Sequence, residues 1–213
     1  MTEHAGRATH GEDYAERLIR LQTAPWKRWL DVQALHRWTL RRTARGLTLD
    51  IGCGIGRNLL HLRGRSVGVD INEHCVWAAR SRGLTAFTPQ EFRLSTEYNR
   101  PGVFDTLLLA HVAEHMSEDQ AVALLQEYEG LMRPQSRLIL ITPQEAGFRS
   151  DTTHVQLMDF GALARIAKRI DFTPEQTFSF PLPRWAGRWF TYNEFVLVGE
   201  RRQGQEPAAR VGA

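Results

Sequence analysis

Short apolar runs alternate with longer amphipathic stretches over most of the chain. Tyr14 to Gln22 and Trp29 to Thr43 carry apolar residues at helical spacing. Leu47 to Ile51 is a first strand, closed by glycines, and Arg57 to Leu62 opens the next helix. Ser66 to Asp70 forms a second strand, a helix follows over about Glu73 to Arg82, and Thr85 to Phe87 is a short third strand. Phe104 to Ala110 is the most apolar run and suits a sheet centre covered on both faces. Ser117 and Gln120 have the spacing of a capping box, so a helix should start there, run to about Met132 and be broken by Pro134. Arg137 to Thr142 is a fifth strand. The stretch from Pro143 to Asp159 reads as a loop of about 17 residues, a length that is usually functional or disordered. Phe160 to Ile170 is helical. Thr177 to Phe180 and Glu194 to Glu200 are two last strands, joined by a connection with prolines and tryptophans.

Strands that alternate with crossover helices imply an α/β fold with a doubly wound, mostly parallel sheet. The final two strands lack a helix between them, so an antiparallel strand is expected at one edge, and the N-terminal helices form a cap. The expected layout is a mobile N-terminus (1–12), one domain (13–202, its helical cap over 13–44 and its core over 45–202) and a mobile tail (203–213).

Composition narrows the function classes. Hydrophobic residues make up 42% and charged residues 24%, which argues against a mostly disordered chain. Two cysteines, Cys53 and Cys75, cannot build a disulfide framework. No apolar leader or membrane-length run is present, so a cytoplasmic protein without membrane contact is expected. The net charge of +3 invites a nucleic-acid reading. However, 25 of the 27 cations are arginine, lysine occurring only at 27 and 168, and they are scattered rather than clustered. We therefore expect no nucleic-acid partner.

The sharpest local signal is Thr48-Leu-Asp-Ile-Gly-Cys-Gly-Ile-Gly56 between a strand and a helix. Gly52, Gly54 and Gly56 let the backbone turn sharply and approach a ligand. Asp50 precedes the first glycine and Cys53 lies inside the loop. No Lys-Ser/Thr follows, which excludes a nucleotide P-loop. Asp70, followed by Ile71, closes the second strand, where a doubly wound site places the acid that binds ribose hydroxyls.

This set resembles the class I S-adenosylmethionine-dependent methyltransferases, over about Leu47 to Glu200. The resemblance rests on LDIGCGIG, VGVD, FDTLLLAHVAEHM and LMRPQSRLILITP. It implies a Rossmann-like sheet and S-adenosyl-L-methionine as cofactor. Asp50, Gly52, Cys53, Gly54 and Gly56 would hold its methionine part, Asp70 and Ile71 its ribose side, Glu91 and Phe92 its adenine, and His111 would line it near the sulfonium. Thr-Pro-Gln-Glu, Thr-Thr-His-Val and Phe-Thr-Tyr-Asn-Glu-Phe further resemble the sugar 1-O-methyltransferases of methylmannose polysaccharide assembly. That narrower likeness implies a short mannoside acceptor, methylated at its reducing-end hydroxyl.

A hydroxyl is a poor nucleophile, and removing its proton favours a base or a metal ion. His154 is the candidate base, with Asp151 orienting it or holding a metal. In the stretch His111-Val-Ala-Glu-His115, Glu114 is a further catalytic candidate and His115 an acceptor contact; either could face the acceptor. Asp151, Asp159 and Glu114 could bind Mg²⁺ through oxygen. The tryptophans at 26, 29, 38, 185 and 189 offer flat faces for a sugar, with Gln33, Arg37, Trp38, Arg184, Tyr192 and Asn193 as acceptor contacts. A homodimer through the tryptophan-rich N-terminal helices is a further expectation. Two other readings stay open: a small-molecule amine or carboxylate methyltransferase, for which His154 would be dispensable, and a cofactor-binding Rossmann protein without catalysis.

Overall fold

The structure is a computed structural model and describes residues 33–201. The expected helix at Tyr14–Gln22, the tryptophans at 26 and 29, and both chain ends lie outside the described residues. In chain order the elements are α1 (Gln33–Thr43), β1 (Thr48–Ile51), α2 (Arg57–His61), β2 (Ser66–Val69), α3 (Glu73–Arg80), β3 (Ala86–Phe87) and α4 (Pro89–Leu94). There follow β4 (Phe104–Ala110), α5 (Glu118–Gln126), β5 (Met132–Pro143), α6 (Glu145–Arg149), α7 (Phe160–Arg169), β6 (Thr173–Phe180) and β7 (Glu194–Glu200).

One seven-stranded sheet has the order β3-β2-β1-β4-β5-β7-β6. The β1–β2, β1–β4, β2–β3 and β4–β5 pairs are parallel, whereas β7 runs antiparallel to both β5 and β6. The expected doubly wound sheet with an antiparallel edge is the sheet observed. Its central strand β4 buries Leu107, Leu108 and Leu109 between two layers. On one face Leu107 and Leu109 pack with Leu125 of α5 and with Leu163 and Ile166 of α7. On the other, Leu108 meets Leu40 of α1, Leu62 and Ile139. The strand order reverses direction between β1 and β4. In a doubly wound sheet that switch point opens a crevice at the C-terminal strand ends.

Several boundaries differ from the sequence expectation, each for a local reason. Helix α5 begins on the expected Ser117–Gln120 capping box but ends at Gln126. A 3₁₀ turn at Glu129–Leu131 follows, and β5 starts at Met132 because that residue pairs with Phe104. Pro134 therefore lies in the exposed, irregular start of a strand, where no ladder hydrogen bond is required of it. Strand β6 begins at Thr173 rather than Thr177; as an edge strand it tolerates Pro174 and the exposed Glu175 and Gln176. The 143–159 stretch contains a short helix, α6. Among the described residues no helix is long and apolar enough to cross a membrane.

Candidate active site

Three loops meet at the C-terminal edge of the sheet: the glycine loop after β1, the 111–116 segment after β4, and the 144–159 segment after β5. The glycine loop has left-handed backbone at Gly52 (φ +71°), Gly54 (φ +53°) and Gly56 (φ +84°). It is fixed against β2 by Gly52 N–H and Cys53 N–H, which donate to the Val69 carbonyl at 2.8 and 3.2 Å. Asp70, just past β2, accepts from Gly54 N–H at 2.7 Å and from Asn72 N–H at 2.8 Å. The acid thus organises the loop from which its own outer face is reached, and Ile71 beside it is exposed.

A Cβ at Gly52 would lie 2.3 Å from Val112 Cγ2, at a φ that L-residues avoid. Gly52→Ala is expected to cost about 1–2 kcal/mol in backbone strain alone. It should also weaken S-adenosylhomocysteine binding roughly tenfold or more, since every 1.4 kcal/mol is tenfold. Calorimetry with purified variant and parent checks this; equal affinity would mean that the loop does not contact the ligand.

Asp50 is fully buried under the loop, and neither carboxylate oxygen has a hydrogen-bond partner of good geometry among the described residues. Burial pushes its pKa up to about 7; the nearby Asp70 charge adds to this, while the Asn58 amide and Arg57 oppose it. An unpaired buried carboxyl is costly and calls for a cationic partner supplied from elsewhere.

His111 follows β4 with a positive φ of +59° and its ring is held between two acids. Nε2 lies 2.8 Å from Glu194 Oε1 and Nδ1 lies 3.4 Å from Glu114 Oε1; the second Glu194 oxygen is 3.4 Å from His36 Nδ1 on α1. Burial would lower the His111 pKa, but the two carboxylates outweigh it and raise it to about 9, so the ring is an imidazolium at neutral pH. Burial would raise Glu194, yet the charge and hydrogen bond of His111, with His36 and Arg57, hold it below the usual carboxylate range. Glu194 was not among the residues singled out from sequence: it lies 83 positions from His111, and no local pattern links them.

The second cluster joins Glu114 and His115 to the 144–159 segment. The His115 and His154 rings stand 4.9 Å apart, and Phe148 stacks on His154 at 5.4 Å. His154 Nδ1 is 2.8 Å from the Phe148 carbonyl, and His115 Nδ1 is 3.2 Å from both the carbonyl and Oγ1 of Thr153. Asp151 accepts from Thr153 Oγ1 and N–H at 2.8 and 3.0 Å. It therefore steadies His115 through Thr153, which differs from the expected Asp151–His154 pairing. Asp159 accepts from Ala162 N–H as the N-cap of α7, which gives that carboxylate a structural role in place of a metal one.

Other expected contacts are engaged within the fold, by burial or by pairing. Phe92 is 2% exposed and packs among Phe87, Phe104 and Tyr128, so its ring cannot face an adenine. Glu91 spends both oxygens on Arg80 and on the Thr88 backbone as the N3 acid of the α4 capping box. Cys53 turns its sulfur into a core cluster with Leu59 and Val76, leaving only its backbone to the loop. Asn193 is buried; its side chain accepts from Leu182 N–H and donates to Gln144 Oε1, fixing the late connection rather than meeting an acceptor. Arg184 is paired with Glu145 and lies over the Phe195 ring. Exposed aromatic faces do remain at Trp38, Trp185 (66%), Trp189 (73%) and Tyr192, the Trp38 ring lying under Arg42. Arg37 is half-buried on α1, and the side chain of Gln33 lies outside what is described.

Residues 49–140 match the family model described as a methyltransferase domain. No curated protein matches the sequence. Among solved structures, magnesium protoporphyrin IX methyltransferase from Synechocystis with bound S-adenosylhomocysteine superposes at a TM-score of 0.65, with 19% identity over 93% of this chain and 99% of that one. A TehB-like S-adenosylmethionine-dependent methyltransferase from Corynebacterium glutamicum gives 0.61, with 20% identity over 92% and 100%. An S-adenosylmethionine-dependent methyltransferase from Archaeoglobus fulgidus gives 0.61, with 19% identity over 82% and 97%. The matched segment and the shared strand order agree on the architecture: residues 49–140 are similar to a methyltransferase domain, and the sheet has the Rossmann-like methyltransferase fold.

Proposed function

We propose that this chain is an S-adenosylmethionine-dependent methyltransferase that methylates oxygen, with a carbohydrate hydroxyl as acceptor and the reducing-end 1-hydroxyl of a short methylated mannoside as the first acceptor to test. The chain's own residues fit the cofactor. The left-handed glycines leave room for its methionine part, the unpartnered Asp50 carboxyl meets its ammonium, and Asp70 lies where ribose hydroxyls are bound. When bound, S-adenosylmethionine supplies an electrophilic methyl group on a sulfonium.

The observation that carries the choice of oxygen is the tautomer of the two histidines. A carbonyl oxygen can only accept, so the hydrogen of His154 sits on Nδ1, facing Phe148, and that of His115 on Nδ1, facing Thr153. Each Nε2 then carries a lone pair, and each of the two rings brings a nitrogen within 4.8 Å of a carboxylate oxygen of the buried Glu114. A neutral amine needs no such centre, whereas a hydroxyl must lose its proton as it attacks. Supporting a sugar acceptor, the faces of Trp38, Trp185, Trp189 and Tyr192 are exposed, and such faces stack on the apolar side of a pyranose.

The test is transfer of labelled methyl to mannosides with free and blocked reducing ends, other sugars, amines and carboxylic acids. Label on a free-ended mannoside alone supports the reading, and label only on amines or carboxylates overturns it. His154→Gln should lower turnover on the hydroxyl about 100-fold or more while S-adenosylhomocysteine affinity stays unchanged. Near-parental turnover would remove His154 from hydroxyl activation.

A further inference from the structure

Glu114, His115 and His154 reach one point from two loops. One potential ligand atom from each lies within 4.8 Å of the others. Three independent features distinguish this group from a chance cluster. Glu114 is 1% exposed, its Oε1 faces His111, and its Oε2 has no hydrogen-bond partner among the described residues. A desolvated carboxylate oxygen in that state is stabilised by a cation or a donor that reaches it. Both imidazoles are held in the tautomer that leaves Nε2 as the donor atom, each Nδ1–H being given to a backbone carbonyl. Metal-ligating histidines are oriented in this way by outer-layer carbonyls and carboxylates. Finally, that outer layer is continuous: Asp151 accepts from Thr153 Oγ1, which accepts from His115, and Val155 N–H ties the same loop to the Glu114 carbonyl at 2.7 Å.

We infer that Glu114 Oε2, His115 and His154 form a binding site for one divalent transition-metal ion, with its remaining coordination positions open to water or to an acceptor oxygen. Two imidazoles and one carboxylate suit zinc, manganese, cobalt or iron(II). Magnesium prefers oxygen donors throughout, so this set argues for a different ion from the one expected at Asp151, which lies outside the cluster. Ligands about 2.0–2.2 Å from a tetrahedral ion are roughly 3.3 Å apart, so side-chain movements on the order of 1 Å close the site.

The role of the ion rests on the O-methylation reading; its binding does not. A hydroxyl oxygen on the ion loses its proton to water and keeps the electron pair that forms the new C–O bond. The methyl C–S bond breaks with its pair left on sulfur, giving the methyl ether and S-adenosylhomocysteine. His154 is then a ligand, and the proton leaves through solvent.

The full chain, stripped with chelator and dialysed, is titrated with Co²⁺, Zn²⁺ and, separately, Mg²⁺, by calorimetry and by the visible absorption of Co²⁺. One Co²⁺ per chain is expected, displaced by Zn²⁺ and not by Mg²⁺. His115→Gln and His154→Gln should each weaken Co²⁺ binding more than tenfold, and Thr153→Val by about tenfold through lost orientation of His115. S-adenosylhomocysteine binding, measured on each variant, reports that the fold is intact. Should a histidine variant fail that check, Thr153→Val carries the comparison. No ion bound by the parent, or equal affinity in parent and variants, overturns the site. Chelator-resistant methylation of a hydroxyl by ion-free protein overturns the ion's role and leaves the O-methyltransferase reading standing. Stoichiometric binding at these residues without label on any hydroxyl keeps the site and removes that reading.

Discussion

Replacing Asp50 by Asn is expected to make the ligand-free protein more stable and its cofactor affinity poorer. The Asp50 carboxyl has an ordinary pKa of 3.8 and is raised by burial to about 7 in the fold. The folded state therefore holds this proton more tightly than the unfolded chain. Stability falls as pH rises from about 4 to about 7, where the unfolded chain has ionised and the fold has not, and is level above that. Each pKa unit is worth about 1.4 kcal/mol, so the cost of the ionised carboxylate is on the order of 4 kcal/mol. Asn removes that cost while preserving shape. Urea denaturation at about pH 8 should show the variant more stable than the parent by a few kcal/mol, with little difference at about pH 4, where the parent carboxyl is protonated in the fold. The same carboxylate is what an ammonium group needs. A lost hydrogen bond to a charged group costs about 1.5–3 kcal/mol, so S-adenosylhomocysteine should bind the variant roughly 10- to 100-fold more weakly. In the parent, affinity should drop as pH falls below 7, and in the variant that dependence should vanish. Unchanged affinity in Asp50→Asn would separate the buried acid from the cofactor site. A site that stores instability until its ligand arrives is the usual trade between stability and function.

The parts of this site that are legible in sequence are the ones whose residues are close in sequence. Gly52, Gly54 and Gly56 declare a tight strand-to-helix turn because only glycine adopts their backbone cheaply, and Asp70 falls one strand later where the parallel β1–β2 pair must bring it. The same holds for the sheet, whose order follows from apolar runs separated by crossover helices. Helix α4 is a different case. Thr88-Pro-Gln-Glu91 carries a complete helix-start signal, a capping box with proline at the first position, beside a family likeness that points to an adenine contact. The local signal there was the stronger one: it consumes Glu91, and the helix it starts turns Phe92 into the core.

Contacts across long sequence separations could not be read in that way. Glu194 and His111 meet only because β7 inserts between β5 and β6, an arrangement that period-2 patterning does not specify. Asn193 looks like a polar group available for a ligand until the backbone of the late connection closes over it. His154 and Asp151 share a loop, but a turn inside that loop sends Asp151 to Thr153 and leaves His154 to the Phe148 carbonyl. In each case the residue type is correctly identified as chemically able, and tertiary placement decides what it does.

The acid–imidazolium array behind the site supplies the second large effect. His111 touches Glu194 and Glu114 with its two ring nitrogens, and about a third of the side chain remains accessible. Removing Glu194 as Gln leaves a largely buried cation with one carboxylate instead of two. Breaking a buried pair from one side costs about 3–5 kcal/mol; partial exposure of the ring and retention of Glu114 place the expected loss near the lower figure, about 3 kcal/mol. The pH dependence gives a readout that packing damage would not. His111 has its pKa raised from 6.5 to about 9, so its contribution to stability is complete below about pH 6.5 and is lost as pH climbs through 9. The parent should therefore weaken measurably between about pH 7 and pH 10, and Glu194→Gln, whose imidazole gives up its proton at lower pH, should lose much less over that interval. Urea melts of both proteins at the two ends of the range decide the matter, with the His111 ring followed by NMR. Parallel loss in the two proteins would mean that the alkaline transition belongs to another group. A full proton on His111 at neutral pH also bears on catalysis: with both nitrogens engaged by carboxylates it cannot serve as a base, which leaves activation of the hydroxyl to the Glu114–His115–His154 centre.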